Sequence, residues 1–193
     1  MNLWVTKVMI LSAMIVMVAI RAPHGQRRRR IAAVRSRKGK LEIVLLTIAW
    51  FAFFVPLIWI ATPVLAFADY ALHPVPLVAG TMCLTFGLWL FYRSHANLGA
   101  NWSITLEVLE KHRLVTRGVY RRVRHPMYTA LLLYSVGQAF VLPNYGAGLS
   151  SVVTMAFLVA LRIRPEERMM REEFGKDYQE YMGLTKRLVP GVW

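Results

Sequence analysis

The sequence predicts an all-α, polytopic membrane protein, and three observations carry that prediction. Of its 193 residues 56% are hydrophobic and 18% charged, against roughly a quarter charged in a soluble domain. The 24 Lys and Arg fall into three blocks, Arg21–Lys40, Arg93–Arg124 and Arg162–Arg187, with only Lys7 outside them. Between the blocks run apolar stretches at 1–20, 43–67, 74–92 and 125–161, the last with 37 residues and no Asp, Glu, Lys or Arg. The abundance of Leu, Val, Phe and Trp excludes a disordered chain. A single cysteine, Cys83, excludes a disulfide framework and any cysteine-based metal cluster within one chain.

About 20 apolar residues cross a bilayer as a helix, so the stretch 125–161 is long enough for two passes. Pro143-Asn144-Tyr145-Gly146 in its middle is a turn signal. It reads as a helical hairpin, 126–142 and 147–161, which brings the expected spans to five. The first stretch reads as a retained anchor rather than a signal peptide, since its charges follow the apolar core and no small-residue cleavage site is apparent. Met9, Met14 and Met17 within it read as adaptable core packing. The chain divides by composition into N-terminal spans with a basic loop, 1–95, and a region richer in organised polar motifs, 96–193.

Orientation follows from the net charge of +14 and its placement. Cytoplasmic loops concentrate Lys and Arg, so the Arg21–Lys40 block is cytoplasmic and the N-terminus outside. The loop around Asp69-Tyr70 and His73-Pro74, without Lys or Arg, lies outside. The Arg93–Arg124 and Arg162–Arg187 blocks then return to the cytoplasm without strain on any segment. Arg27-Arg28-Arg29-Arg30, directly after a span, reads as a topology determinant on anionic lipid headgroups, and no nucleic-acid partner is expected.

Two cytoplasmic stretches carry organised polarity, Leu98–Tyr128 and Arg162–Trp193. They flank the hairpin, so both hang from one side and can meet in a cytoplasmic pocket built by the C-terminal half. In Arg124-His125-Pro126-Met127-Tyr128, proline suits a first helical turn, whose free amides and dipole suit an anionic or electron-rich group. His125 and Tyr128, three apart, share a face. The same residues also read as a helix cap with an interfacial tyrosine and a snorkelling arginine, and the pattern does not choose between these readings. Arg162 and Glu166, four apart at the end of the last span, form an ionisable pair at membrane depth, a functional candidate by default. Glu172 and Glu173 read as members of i,i+4 ion pairs on a surface helix. The five histidines show no metal-ligand spacing, and neither a GxGxxG nor a Walker loop is present.

The run HRLVTRGVYRRVRHPMY, followed about 35 residues later by RIRPEE, EEFGKDYQEYM and RLVP, resembles the isoprenylcysteine carboxyl methyltransferase and phospholipid methyltransferase family. The resemblance covers roughly Asn97–Pro190. It implies an integral membrane enzyme that uses S-adenosylmethionine, releases S-adenosylhomocysteine, and binds the cofactor in a cytoplasmic pocket of the C-terminal spans and tail. It implies cofactor-lining roles for His112, Arg113, Leu114, Val115 and Tyr120, and a cofactor element at His125, Pro126, Met127 and Tyr128. Glu166 corresponds to the glutamate that contacts the cofactor. Arg162 corresponds to an arginine that faces the substrate, and is the candidate catalytic residue. A family glutamine has no clear counterpart, Glu107 being the nearest. The implied activity is methyl transfer to a lipophilic acceptor entering from the bilayer, foremost carboxyl O-methylation of an isoprenylcysteine-like substrate. A phospholipid N-methyltransferase, a sterol-reductase-like NADPH enzyme (with Arg113, Arg121 and Arg122 as phosphate contacts) and a non-enzymatic relative are the competing readings.

Overall fold

The computed structural model describes residues 3–28, 33–36, 39–102, 107–109 and 113–191. Five helices dominate it: α1 Leu3–Arg28, α2 Lys40–Ala61, α3 Pro74–Leu98, α4 Pro126–Val141 and α5 Tyr145–Leu184. Four of these, α1, α2, α3 and α5, are long and apolar enough to cross a membrane. Large apolar side chains stand exposed along them, among them Ile15, Trp50, Phe51, Met82 and Phe157, as expected for lipid-facing surfaces. The chain is thus a multi-pass helical membrane protein.

α4 is the departure from five full spans. Its 16 residues rise about 24 Å, short of the roughly 30 Å hydrocarbon core. Pro126 starts it and the Leu142-Pro143 step ends it, so it cannot lengthen at either end. α5 compensates with 40 residues, running well past the expected end at 161 and carrying the polar segment out on the same helix. Gly175, at φ 51°, kinks it before its last turns, a conformation that favours glycine. One addition to the helical architecture joins the two basic loops. Strand β1, Ala33–Ser36, pairs antiparallel with β2, Glu107–Leu109, in the register Ser36 to Glu107 and Ala33 to Leu109.

α3 and α4 pack closest. A Cβ built on Gly80 would meet the Gly137 carbonyl at 2.8 Å, and one on Gly87 would meet the Tyr134 nitrogen at 3.0 Å. Small residues let helix backbones approach, which is how helices associate where lipid removes the hydrophobic drive. Ile10, Met14, Trp59, Leu84, Phe91 and Tyr134 fill the core that this pair shares with α1 and α2. Met14 and Met17 are buried there and Met9 packs against them, in keeping with the packing role read from sequence.

The expected turn at 143–146 is tied to the α2–α3 loop. Asn144 caps α5 by accepting from the Ala147 N–H at 2.8 Å, and its amide donates to Asp69 and to the Leu65 carbonyl. Trp59 donates to the same Asp69 carboxylate at 2.7 Å, and the Tyr70 hydroxyl donates to the Leu142 carbonyl. With this end cinched, the cavity opens among Arg21, Arg113, Arg124 and Arg162 away from it.

Candidate functional site

A cavity of about 630 Å³ lies between the five helices, well within the range of small-molecule sites. Its polar wall is made by residues 113–128 and the far half of α5. Its apolar wall, including Leu46, Trp50, Phe53, Leu131, Met155 and Leu158, continues into the membrane-spanning part of the bundle.

The segment entering α4 explains why this wall is ordered. Gly118, at φ 64°, turns the chain so tightly that a Cβ there would collide with the Asn97 side chain. Asn97 Oδ1 accepts the Val119 N–H at 3.0 Å, so the end of α3 fixes the turn. Residues 123–125 then run alongside the C-terminal tail. The Arg124 and His125 N–H groups donate to the Lys186 and Arg187 carbonyls at 2.8 and 2.9 Å, and the Tyr181 hydroxyl donates to the Tyr120 carbonyl. Thr129 adds a bond to the Leu188 carbonyl. The two polar segments flanking the hairpin do meet, as their topology predicts.

At their junction His125 lies between two carboxylates. Its Nδ1 is 3.6 Å from Glu166 and its Nε2 is 3.4 Å from Glu167. Both ring nitrogens can donate only in the imidazolium. Burial by itself would lower the His125 pKa, but hydrogen bonds to Glu166 and Glu167 and their charges outweigh it, so the value lies above the ordinary 6.5. A histidine raised in the folded state stabilises it fully below the unfolded value and ceases to do so as pH rises through the folded one. The melting temperature in detergent is therefore expected to fall as pH climbs above 6.5, and His125→Gln should flatten that slope. An unchanged slope in the variant would rule out His125 as its source.

Glu166 completes its coordination with Tyr128, whose hydroxyl donates at 2.5 Å. Tyr120 is buried, and that burial, with the nearby Glu166 charge, raises its pKa well above the ordinary value, so it stays a neutral phenol. Glu167, 2% exposed, accepts from Arg124 Nε at 3.0 Å and from Arg187 Nη2 at 2.9 Å. Arg124 also donates to the Met182 and Thr185 carbonyls. The hydrogen bond to Glu167 is the main reason the Arg187 pKa is raised.

Most residues singled out from sequence come together. Arg113, Leu114, Val115, Tyr120, His125, Met127, Tyr128, Arg162 and Glu166 all line the cavity. Pro126 does not; it is buried in the first turn of α4 and serves as the helix start. His112 lies outside the described residues. The Glu107 backbone sits in β2, and its side chain likewise lies outside what is described. Arg121 and Arg122 are exposed and do not appear in the cavity wall. Sequence reading missed Glu167, Arg187 and Glu42. It also missed the contribution of α1, where Arg21 stacks 5.5 Å over Trp102, with His24 and His95 packed beside that ring. The ion pair seen for Arg162 crosses to Glu42 at 3.1 Å.

A multi-pass helical membrane protein with a cavity that is polar at the tail and apolar between its spans is the class that fold and site define. The model of the Isoprenylcysteine carboxyl methyltransferase (ICMT) family matches residues 77–172. Over that region, just under half of its length, the chain resembles the isoprenylcysteine carboxyl methyltransferase family. Protein-S-isoprenylcysteine O-methyltransferase B of Arabidopsis thaliana is 39% identical over 83 residues, covering 43% of this chain and 42% of that protein. The Homo sapiens protein-S-isoprenylcysteine O-methyltransferase is 32% identical over 117 residues, 60% of this chain and 40% of its relative. The chain thus spans less than half the length of these curated relatives. A solved structure of the eukaryotic intramembrane Ras methyltransferase ICMT matches with a TM-score of 0.55 and 23% identity, over 82% of this chain and 55% of that one. That likeness bears on the fold.

Proposed function

We propose that the chain is an S-adenosylmethionine-dependent methyltransferase that esterifies the carboxylate of a lipophilic, isoprenylcysteine-like acceptor. The observation that carries it is the cavity in which the Glu166–Tyr128–His125 cluster and Arg162 share a wall with an apolar limb between the spans. The relatives' names supply the reaction.

The residues present fit the cofactor. Its sulfonium and ammonium cations call for carboxylate and aromatic neighbours, available in Glu166, Tyr128, Tyr178 and Tyr181, and Leu114, Val115 and Met127 offer an apolar face for adenine. When bound, S-adenosylmethionine supplies an electrophilic methyl group on sulfur. Transfer of that methyl needs little beyond in-line positioning and a matched field. Glu166 is held by Tyr128 and His125, and so presents a fixed negative charge. Arg162 is the group that holds the acceptor carboxylate, with its planar fork of donors. The acceptor's tail lies in the limb lined by Leu46, Phe53, Leu131 and Met155, reached sideways from the bilayer. Residues 96–193 form the catalytic region and 1–95 the accompanying spans. Arg21, Arg113, Arg124 and Arg162 line the cavity, and the excess of Lys and Arg in the loops that carry them supports a cytoplasmic active site and C-terminus with the N-terminus outside.

Calorimetry on the detergent-purified protein tests the reading. S-adenosylmethionine and S-adenosylhomocysteine should bind in the micromolar range and NADPH should not. Glu166→Ala and His125→Ala should each weaken cofactor binding by about tenfold or more, the loss of one charge-assisted contact. Binding of NADPH alone would replace this reading with a reductase. Full affinity and turnover in both variants would move the cofactor elsewhere.

A further inference from the structure

The family model matches residues 77–172, yet the residue gripping Arg162 lies upstream of that region, at the start of α2. Glu42 is the only acidic residue before Asp69, set among the bases of the first basic loop and the first turn of α2. There a carboxylate is favoured by the positive end of the helix. A surface position would leave it exposed, but it is 6% exposed and lies 3.1 Å from Arg162 Nη2, itself 8% exposed. Burying a charge costs free energy unless it is paired, so a lone acid retained there has a specific task.

We infer that Glu42 is a positioning residue for the acceptor site. By accepting from one end of the Arg162 guanidinium, it fixes the plane and direction of the fork offered to the acceptor's carboxylate. This rests on the methyltransferase reading for the role of Arg162. A guanidinium carries five N–H donors in a rigid plane, so anchoring Nη2 orients the remaining edge without consuming it. An arginine side chain free of such an anchor spreads over many rotamers, and the order lost reappears as weaker, poorly aligned capture of the carboxylate. Glu42 is absent from the cavity wall while Arg162 is in it, which is the arrangement of a support behind a contact. The α2–α5 packing that brings the two together also makes the N-terminal spans part of the reaction centre.

The test compares wild type, Glu42→Gln and Glu42→Asp in detergent. S-farnesyl-N-acetylcysteine and its methyl ester serve as probes, with binding read by displacement of a fluorescent lipid and transfer read with labelled S-adenosylmethionine. Wild type should bind the free carboxylate in preference to the ester. Glu42→Gln should reduce that preference by roughly tenfold, one charge-assisted contact's worth, and raise the acceptor KM far more than it lowers kcat. Its cofactor affinity should stay at the wild-type value, a split that general destabilisation would not produce. Glu42→Asp should recover part of the preference. An unchanged carboxylate preference in Glu42→Gln overturns the inference. So does a tighter grip on the carboxylate, which would make Glu42 a competitor for Arg162. Wild-type discrimination between acid and ester without methyl transfer would refute the methyltransferase reading alone, and the binding ratio of the variants would still decide the role of Glu42.

Discussion

Glu167→Ala is expected to be the most damaging single side-chain truncation in the tail, and to act on folding before it acts on binding. The Glu167 carboxylate is buried and gathers Arg124 at 3.0 Å, Arg187 at 2.9 Å and the His125 Nε2 at 3.4 Å. Truncation leaves three cationic groups facing one another where an anion stood. Removing one partner of a buried ionic network costs about 3–5 kcal/mol, much of it the penalty of the charge left behind. Arg124 and Arg187 come from the segments whose backbones pair at 123–125 and 186–187, so their repulsion opens the seam that closes the site. Thermal unfolding in detergent should show the loss, and Glu167→Gln, which keeps the shape and part of the hydrogen bonding, should lie between. Glu166→Gln, one residue earlier, should leave stability nearly intact, since Glu166 is 29% exposed at its side chain and is accompanied by Tyr128 and His125. A stable Glu167→Ala protein beside an unstable Glu166→Gln protein would reverse the division of labour between the two neighbours.

That division shows what the sequence disclosed and what it withheld. Glu166 and Glu167 are adjacent in one helical run, and periodicity alone cannot say which faces a cavity and which faces a tail folding back from position 185. The partners that decide, Arg124 and Arg187, are 43 and 20 residues from Glu167 along the chain. The α4 start was legible because Pro126 has a local cause, the missing N–H that suits a first helical turn. The turn before α5 was legible in Pro143-Asn144-Tyr145-Gly146, whereas the capping role of Asn144 came from the structure. The positions of the spans were legible because lipid demands apolar length. What overran the expected boundaries was α5, where helix-forming Glu, Arg and Met continue after the apolar stretch as far as the kink at Gly175. Pro165 lies within α5, so a proline inside the run did not mark its end. Glu42 carried a faint signal, being an isolated acid in a strongly basic stretch. Its partner Arg162 is 120 positions away, and only the packing of α2 on α5 connects them.

Gly137→Leu is expected to separate α3 from α4 and to abolish cofactor binding without touching a single lining residue. A Cβ at Gly137 would stand 2.7 Å from the Leu84 nitrogen and 2.8 Å from the Gly80 carbonyl oxygen. Both obstacles are backbone, and neither can rotate away. Because the Gly80 Cβ position is blocked by Gly137 in the same way, the two helices meet glycine to glycine. Even Gly137→Ala must push them apart, at about 1–3 kcal/mol, the cost of overpacking a close contact, and leucine should exceed alanine. The displacement has a direction: α4 is preceded by His125 and carries Tyr128, nine residues or roughly 14 Å along the helix from Gly137. Tilting α4 off α3 therefore withdraws the imidazole and phenol from Glu166, whose helix α5 is anchored separately through Arg162 to Glu42 and through Glu167 to the tail. S-adenosylhomocysteine affinity should fall in Gly137→Ala, in step with the loss of melting temperature, and be unmeasurable in Gly137→Leu. Wild-type stability and affinity in the leucine variant would mean that the glycine contact is incidental and that α4 is held in place by its two ends.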